Sequence, residues 1–307
     1  MGKILIALLV ASAVSVVSAQ EKPGASPVRD SIFAAVEKDD AAAVSRLLDA
    51  GADINELKKR TSHERFTASI TPLGRALTLG KINVARLLIN RRADVNQTFV
   101  IVQESGELTE YPLFAAMMLD DNFVTARAML EHGANPNIFD FDGNTPLMRA
   151  LNVVSTGQDL GSSDPHLVFA RELLRHGAKV NQQTADGRRP SYVQKSDGTT
   201  ALHQAVRSGM LGIAAMLVEN GADVHMKNRK GQTPVIYGAS MSMFGDPRYI
   251  SLSRKLELVN KLLEWGSDIS EKDNDGKSAL DYISQSLGAD KAEKFIRKIV
   301  RPQSPPS

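Results

Sequence analysis

The sequence has no cysteine, only 5% aromatic residues, one tryptophan, and nearly balanced charge: 37 Lys and Arg against 35 Asp and Glu in 307 residues. Each shortage excludes something. Without cysteine there is no disulfide framework, thiolate zinc site, iron–sulfur cluster or thiol nucleophile. A formal charge of +2 gives no global field to attract nucleic acid or acidic lipid. No His-x-x-x-His pair, phosphate-binding glycine loop or Gly-x-Ser-x-Gly turn is present, so metal, nucleotide and serine-hydrolase chemistry lack their motifs. What remains is 42% apolar, enough for a packed core and too much for a disordered chain.

There is one long apolar run, Ile4 to Val17, behind Lys3 and ahead of Val17-Ser18-Ala19. This arrangement reads as a secretory signal peptide cut after Ala19. The run is shorter than the ~20 residues of a spanning helix. Ile6 stands where N-myristoylation wants Ser or Thr. The expected layout is a signal peptide over 1–19, a flexible stretch over 20–27, one folded domain over 28–300 and a disordered tail over 301–307. The expected location is the periplasm or the medium, without membrane insertion.

The rest of the chain repeats itself. LLDAGADIN (47–55), LLINRRADVN (87–96), MLEHGANPN (129–137), LLRHGAKVN (173–181), LVENGADVH (217–225) and LLEWGSDIS (262–270) are variants of one phrase. A second phrase precedes five of them: ITPLGRAL (70–77), EYPLFAAM (110–117), NTPLMRAL (144–151), TTALHQAV (199–206) and QTPVIYGA (232–239). KSALDYIS (277–284) opens a last unit. Thr at an N-cap followed by Pro starts one helix. Leu-Leu spacing marks a second, and Gly at 51, 133, 177, 221 and 266 ends it in a left-handed turn. One such helix pair cannot bury its own apolar stripe and must stack on copies of itself.

These phrases resemble the ankyrin repeat, with its Thr-Pro-Leu-His start and Leu-Leu-x-x-Gly-Ala-Asp-Val-Asn end. The resemblance implies an all-α solenoid with short β-hairpin fingers, in about seven units including both caps. It also implies a protein-binding role in which finger tips and the outer positions of each first helix line a concave face.

The sequence departs from the pattern in length. The terminal Asn or its equivalent falls at 55, 96, 137, 181, 225 and 270, spacings of 41 to 45 against an ankyrin period of ~33. In the second, third and fifth units the surplus lies in the finger: Glu56–Ile70 with a basic tip, 98–111 alternating around a Gly turn, and 182–199 around Tyr192. In the fourth and sixth it lies between the helices, over 152–166 and 240–253. Arg92 occupies the Gly position of the second unit, at an expected cost of ~1 kcal/mol.

Three of the six histidines and the recurring acidic residues have repeat-level explanations, while His63 and His166 lie in inserted loops, neither at metal-ligand spacing to another histidine. His132 and His176 precede helix-ending glycines and His203 occupies the family's own His position. Asp53, Asp94, Asp223 and Asp268 recur at turns. Asn96-Gln97-Thr98 matches a glycosylation sequon by accident of the repeat Asn. Neither a cofactor, a metal nor a catalytic residue is expected. More informative are apolar and Arg residues at outer positions: Phe99, Ile101, Phe139, Phe141 and Tyr192 on fingers, and Met118, Leu119, Arg207 and Met241, with Leu79 and Val153, late in first helices. Such residue types are enriched at interfaces. Either they meet a protein partner or the inserted loops fold back over them. The expected function is an exported protein-binding module, a regulator or immunity-type inhibitor of an exported enzyme; the alternative is a secreted effector that binds a host protein. Oligomeric state stays open.

Overall fold

The computed structural model describes residues 27–62, 66–103, 106–151, 163–187, 196–241 and 252–299. The expected signal peptide over 1–19, the tip at 63–65, Val153, Tyr192, the stretch 242–251 and the expected tail over 301–307 lie outside them. The chain divides into two compact units, one built mainly from residues up to Asp142 and the other mainly from Gly143 onward.

The N-terminal unit has three helix pairs: α1 (Pro27–Glu37) with α2 (Ala41–Asp49), α3 (Pro72–Thr78) with α4 (Ile82–Asn90), and α5 (Pro112–Met117) with α6 (Val124–Glu131). First helices stack on first helices, α1 on α3 on α5, and second on second, α2 on α4 on α6. The C-terminal unit repeats this with α7 (Pro146–Leu151) and α8 (Pro165–Arg175), α9 (Ala201–Arg207) and α10 (Leu211–Glu219), α11 (Pro234–Met241) and α12 (Leu252–Glu264), and α13 (Ala279–Leu287) and α14 (Ala289–Ile299). There α7, α9, α11 and α13 stack in turn. No helix among the described residues is long and apolar enough to cross a membrane.

Local chemistry sets the helix starts. The hydroxyls of Thr71, Thr145 and Thr200 accept from the N–H three residues on, at 3.0, 3.3 and 3.4 Å. Tyr111 takes the same position without a side-chain cap. Two residues in from each cap, Leu73, Leu113, Leu147, Leu202 and Val235 are all buried. At the helix-to-helix contact, Ala76, Ala116, Ala150 and Ala205 are buried too, small enough to let neighbouring first helices approach closely.

Helix ends follow the same economy. Gly51, Gly133, Gly177, Gly221 and Gly266 all adopt positive φ, and Arg92 matches them at +67°. A side chain in that backbone conformation is strained, whereas glycine is not. Arg92→Gly should therefore raise stability by about 0.5–1 kcal/mol, part of the relief being lost to the freer unfolded chain. The measurement is the urea midpoint of the full chain at unchanged slope; a lower midpoint would refute it.

The repeat Asn is an inter-repeat clamp. Asn55 Oδ1 accepts from Asp94 N–H at 2.8 Å, Asn96 Oδ1 from Asn135 N–H at 2.8 Å and Asn181 Oδ1 from Asp223 N–H at 2.9 Å. Asn96 and Asn181 also donate to the carbonyls of Gly133 and Gly221. Asp53, Asp94, Asp223 and Asp268 each accept from the N–H two residues on, which closes the turn carrying that Asn or its substitute. These carboxylates serve the backbone. Between fingers, Ala185 N–H donates to Gly143 O at 2.9 Å, and a Cβ at Gly143 would stand 1.8 Å from Ala185 O. Only glycine permits that approach.

The fingers of the second and third repeats are hairpins: β1 (Lys58–Ser62) with β2 (Phe66–Ile70), and β3 (Phe99–Gln103) with β4 (Gly106–Glu110). They join through Ser69 opposite Val100, making one antiparallel sheet in the order β1-β2-β3-β4. Extra finger length here has become a sheet, because two hairpins side by side satisfy backbone groups that each alone leaves open on both edges. The fifth repeat's finger shows no strand among its described residues. Its two arms are tied by Thr184 N–H to Thr199 O at 2.8 Å and by the hydroxyls of Thr184 and Ser196 at 2.5 Å.

Candidate partner-binding surface

The residues singled out from the sequence fall into three groups. Phe99 is a correction. It is fully buried, its ring lying on α3 so closely that a Cβ at Gly74 would stand 2.7 Å from Cδ1. Gly74 occupies the position that holds His203 in the fifth repeat, and the space left by the missing side chain is filled by Phe99. The residue anchors the finger sheet to the helices and is inaccessible to a partner.

A second group is half-buried or is placed by its backbone position alone. Phe139 and Phe141 are half-buried in the turn after α6. Arg207, the last residue of α9, is half-buried, and it opposes the upward push that burial gives the Tyr237 hydroxyl. Met241 ends α11, the neighbour on which α9 stacks, so Arg207 and Met241 close adjacent first helices. Ile101 lies opposite Leu108 in the β3–β4 register. Tyr192 lies outside the described residues.

The third group is exposed. Met118, the C-cap of α5, is 46% accessible, and Leu119 beside it is half-buried. Sequence reasoning missed their neighbour Val124, 43% accessible at the start of α6. The connection between them, residues 118–123, is twice the length of the corresponding 79–81 link in the second repeat. It is nevertheless rigid. Asp120 Oδ1 accepts from Val124 N–H at 2.8 Å and Asn122 N–H at 3.2 Å, and Oδ2 from Thr125 N–H at 3.4 Å. Phe123 is pinned in the core, 4% exposed, with φ at +55°. A bulky side chain in the left-handed region costs of order 1–2 kcal/mol and persists only where its surroundings over-determine it. Two large apolar side chains are thus held outward on a pre-ordered link. The sequence signal was the pair Asp120-Asp121 in place of the short Gly turn found at Gly80 and Gly209.

Electrostatics concentrates elsewhere, in a buried chain of polar groups across the last three repeats. His203 Nδ1 accepts from Thr200 N–H at 3.2 Å and its Nε2–H reaches Gln232 O at 3.0 Å, which assigns the neutral Nε2–H tautomer. Gln232 Nε2 donates to Asp273 Oδ2 at 3.3 Å and Ser240 Oγ at 3.2 Å, and Tyr282 O–H donates to the same Asp273 oxygen at 2.7 Å. Burial pushes the His203 imidazole down to about 4, against a small upward pull from the Gln232 carbonyl. Burial and the Asp273 hydrogen bond push the Tyr282 hydroxyl up to about 12. Burial raises the Asp273 carboxyl, but donors from Tyr282, Lys277, Gln232 and Asp275 outweigh it and hold it below the usual range. These groups bond one another across repeat boundaries, so their perturbed titration reflects packing. Among the described residues no three His, Asp or Glu are placed to hold a metal ion.

Comparison with known proteins agrees with this architecture. Residues 162–273 match the family profile of ankyrin repeats, in three copies. The crystal structure of the human ASB11 ankyrin repeat domain is similar at TM-score 0.51 and 19% identity, over 92% of this chain and 100% of that one. No curated protein matches the sequence. Residues 162–273 carry ankyrin repeats, and the chain has the ankyrin-repeat fold, with a small antiparallel sheet added. The profile match falls where turn chemistry follows the pattern; the earlier repeats carry Gly74, Arg92 and Tyr111 in its place.

Proposed function

We propose that this chain is an exported protein-binding module that regulates or inhibits an exported enzyme, in the manner of an immunity protein, in the periplasm. Ankyrin repeats are a protein–protein interaction scaffold, and the apolar run Ile4–Val17 before Ser18-Ala19 supports export. The observation that carries the binding reading is the α5–α6 link. Met118 and Val124 are large, apolar and exposed on a segment whose backbone is already ordered by Asp120 and Phe123. Pre-ordering lowers the entropy lost on association, so exposed apolar side chains there convert into affinity more fully than on a loose loop. Leu119 extends this surface, and Arg207 and Met241 mark a separate candidate surface on the other unit.

The test is a pull-down with the tagged chain from the periplasmic fraction, followed by titration of the recovered protein. Met118→Asp and Val124→Asp should each weaken that complex at least ~10-fold, as burying a charge at an interface centre does. Thermal unfolding should change far less than binding, since both residues are more than 40% exposed. Failure to recover a stoichiometric partner, or a partner bound equally well by both variants, would overturn the reading.

A further inference from the structure

The finger sheet has two open edges. Among the described residues no strand pairs with the outer side of β1 or of β4. An edge strand directs alternate N–H and C=O groups outward and is a template for another strand. The two edges differ in charge: β1 reads KKRTS and β4 reads GELTE. They differ in flank as well. Leu57, next to β1, is 40% exposed, one of three large apolar residues so exposed among those described, the others being Met118 and Val124. The start of β1 is fastened to α1 by Lys58, whose Nζ lies 5.2 Å from the centre of the Phe33 ring. At the far end of β4, by contrast, Glu110 accepts from Tyr111 N–H at 3.1 Å and is occupied locally.

We infer that the outer edge of β1 is a docking site for an extended, acidic segment of a partner protein, which adds to the sheet as a fifth strand. This rests on the protein-binding reading above but uses a surface other than the α5–α6 link. Backbone hydrogen bonds along β1 hold the segment, the charges of Lys59 and Arg60 select for acidic residues, and Leu57 takes an apolar side chain at one end. Basic residues on an edge also discourage copies of the same edge from pairing. They do not account for an exposed leucine beside it, because protection calls for charge and docking calls for an apolar contact. Pairing of β1 with β4 of a second copy would match in charge too, but that contact is heterologous and builds rings or filaments of many copies, which the assembly measurement below detects.

The probe is a short synthetic peptide alternating glutamate and valine, titrated into the full chain, with a lysine–valine peptide as control. Binding of the glutamate peptide should weaken about 10-fold or more between ~0.05 and ~0.5 M salt. Lys59→Gln with Arg60→Gln should weaken it by a similar factor. The decisive readout is amide hydrogen exchange: alternate β1 amides, those not bonded to β2, should gain at least ~10-fold protection. Unchanged β1 amides, equal affinity for the lysine peptide, or concentration-dependent assembly of the protein alone that this double variant abolishes would each overturn the inference. If the peptide fails while Met118→Asp still releases a recovered partner, strand addition is wrong and the protein-binding reading stands. Failure of both removes both.

Discussion

Replacing Phe99 by alanine should cost the N-terminal unit about 3–5 kcal/mol, the range for deleting a fully buried aromatic ring. The reason is position as much as size. Phe99 is 0% exposed at the start of β3, and its ring rests on Gly74 of α3. With Ile70 of β2, which meets the same glycine, it presses the finger sheet on the helices. Truncation therefore opens a cavity and loosens β2 and β3 together. The complementary change, Gly74→Ala, forces a methyl to within 2.7 Å of Cδ1 and should cost about 1–3 kcal/mol as overpacking. The two are coupled: in a Phe99→Ala background the Gly74→Ala cost should largely vanish, a coupling of up to ~3 kcal/mol. Urea unfolding followed by circular dichroism, with hydrogen exchange of β2 and β3 amides, measures this. A Phe99→Ala cost below ~1 kcal/mol, or additive effects, would show that the ring is not the anchor.

Stability of the C-terminal unit should fall as pH drops from about 6.5 to about 4, by about 3 kcal/mol in all. His203 supplies the effect. Its folded-state value is depressed to about 4 from 6.5. Below 6.5 the unfolded chain takes up a proton that the folded chain refuses, so the contribution is present above 6.5 and is lost as pH falls toward 4. The geometry gives the cause beyond burial. A proton on Nδ1 would place a second donor against Thr200 N–H, 3.2 Å away, in a site closed to water. Asp273 and Asp281 are depressed as well, Asp281 by the N–H and hydroxyl of Ser278, and most of their loss falls below the ordinary carboxylate value of 3.8. The two windows are therefore separable. Trp265, the one tryptophan, follows α12 in this unit and reports its unfolding. The slope between pH 6.5 and 4 should flatten in His203→Gln, whatever that variant's absolute stability. A flat wild-type profile in this window would refute the assignment.

Much of the architecture was legible because repetition multiplies weak signals. Thr or Ser before Pro-Leu or Ala-Leu, Leu-Leu before Gly, and the Asx turn ahead of Asn each recur, so helix starts, helix ends and turns could be placed from residue chemistry alone. The strained Arg92 was legible for the same reason, as a break in a pattern with a known backbone requirement. The candidate surface was only partly so. Met118 and Leu119 stood out as apolar residues at outer positions late in a first helix. Val124 did not, since its exposure follows from a link lengthened around Asp120. Phe99 was misread because alternation in β3 marks two faces without saying which one meets the helices. Gly74 held the answer: a missing side chain in the His position implies another residue filling that space.

What the sequence determines by itself is local: which segments become helices, where each stops, and that the pairs must stack, because capping, φ preference and apolar periodicity act within a few residues. The tertiary structure decided what the surplus length became. Two fingers joined into one sheet through Ser69 and Val100, far apart in the chain, and one aromatic ring was claimed by the core. Those outcomes depend on which surfaces meet in three dimensions, and the shortage of aromatic residues noted at the outset sharpens the point, since the same Phe that reads as an interface residue in sequence is, once a glycine faces it, the best filling for a core.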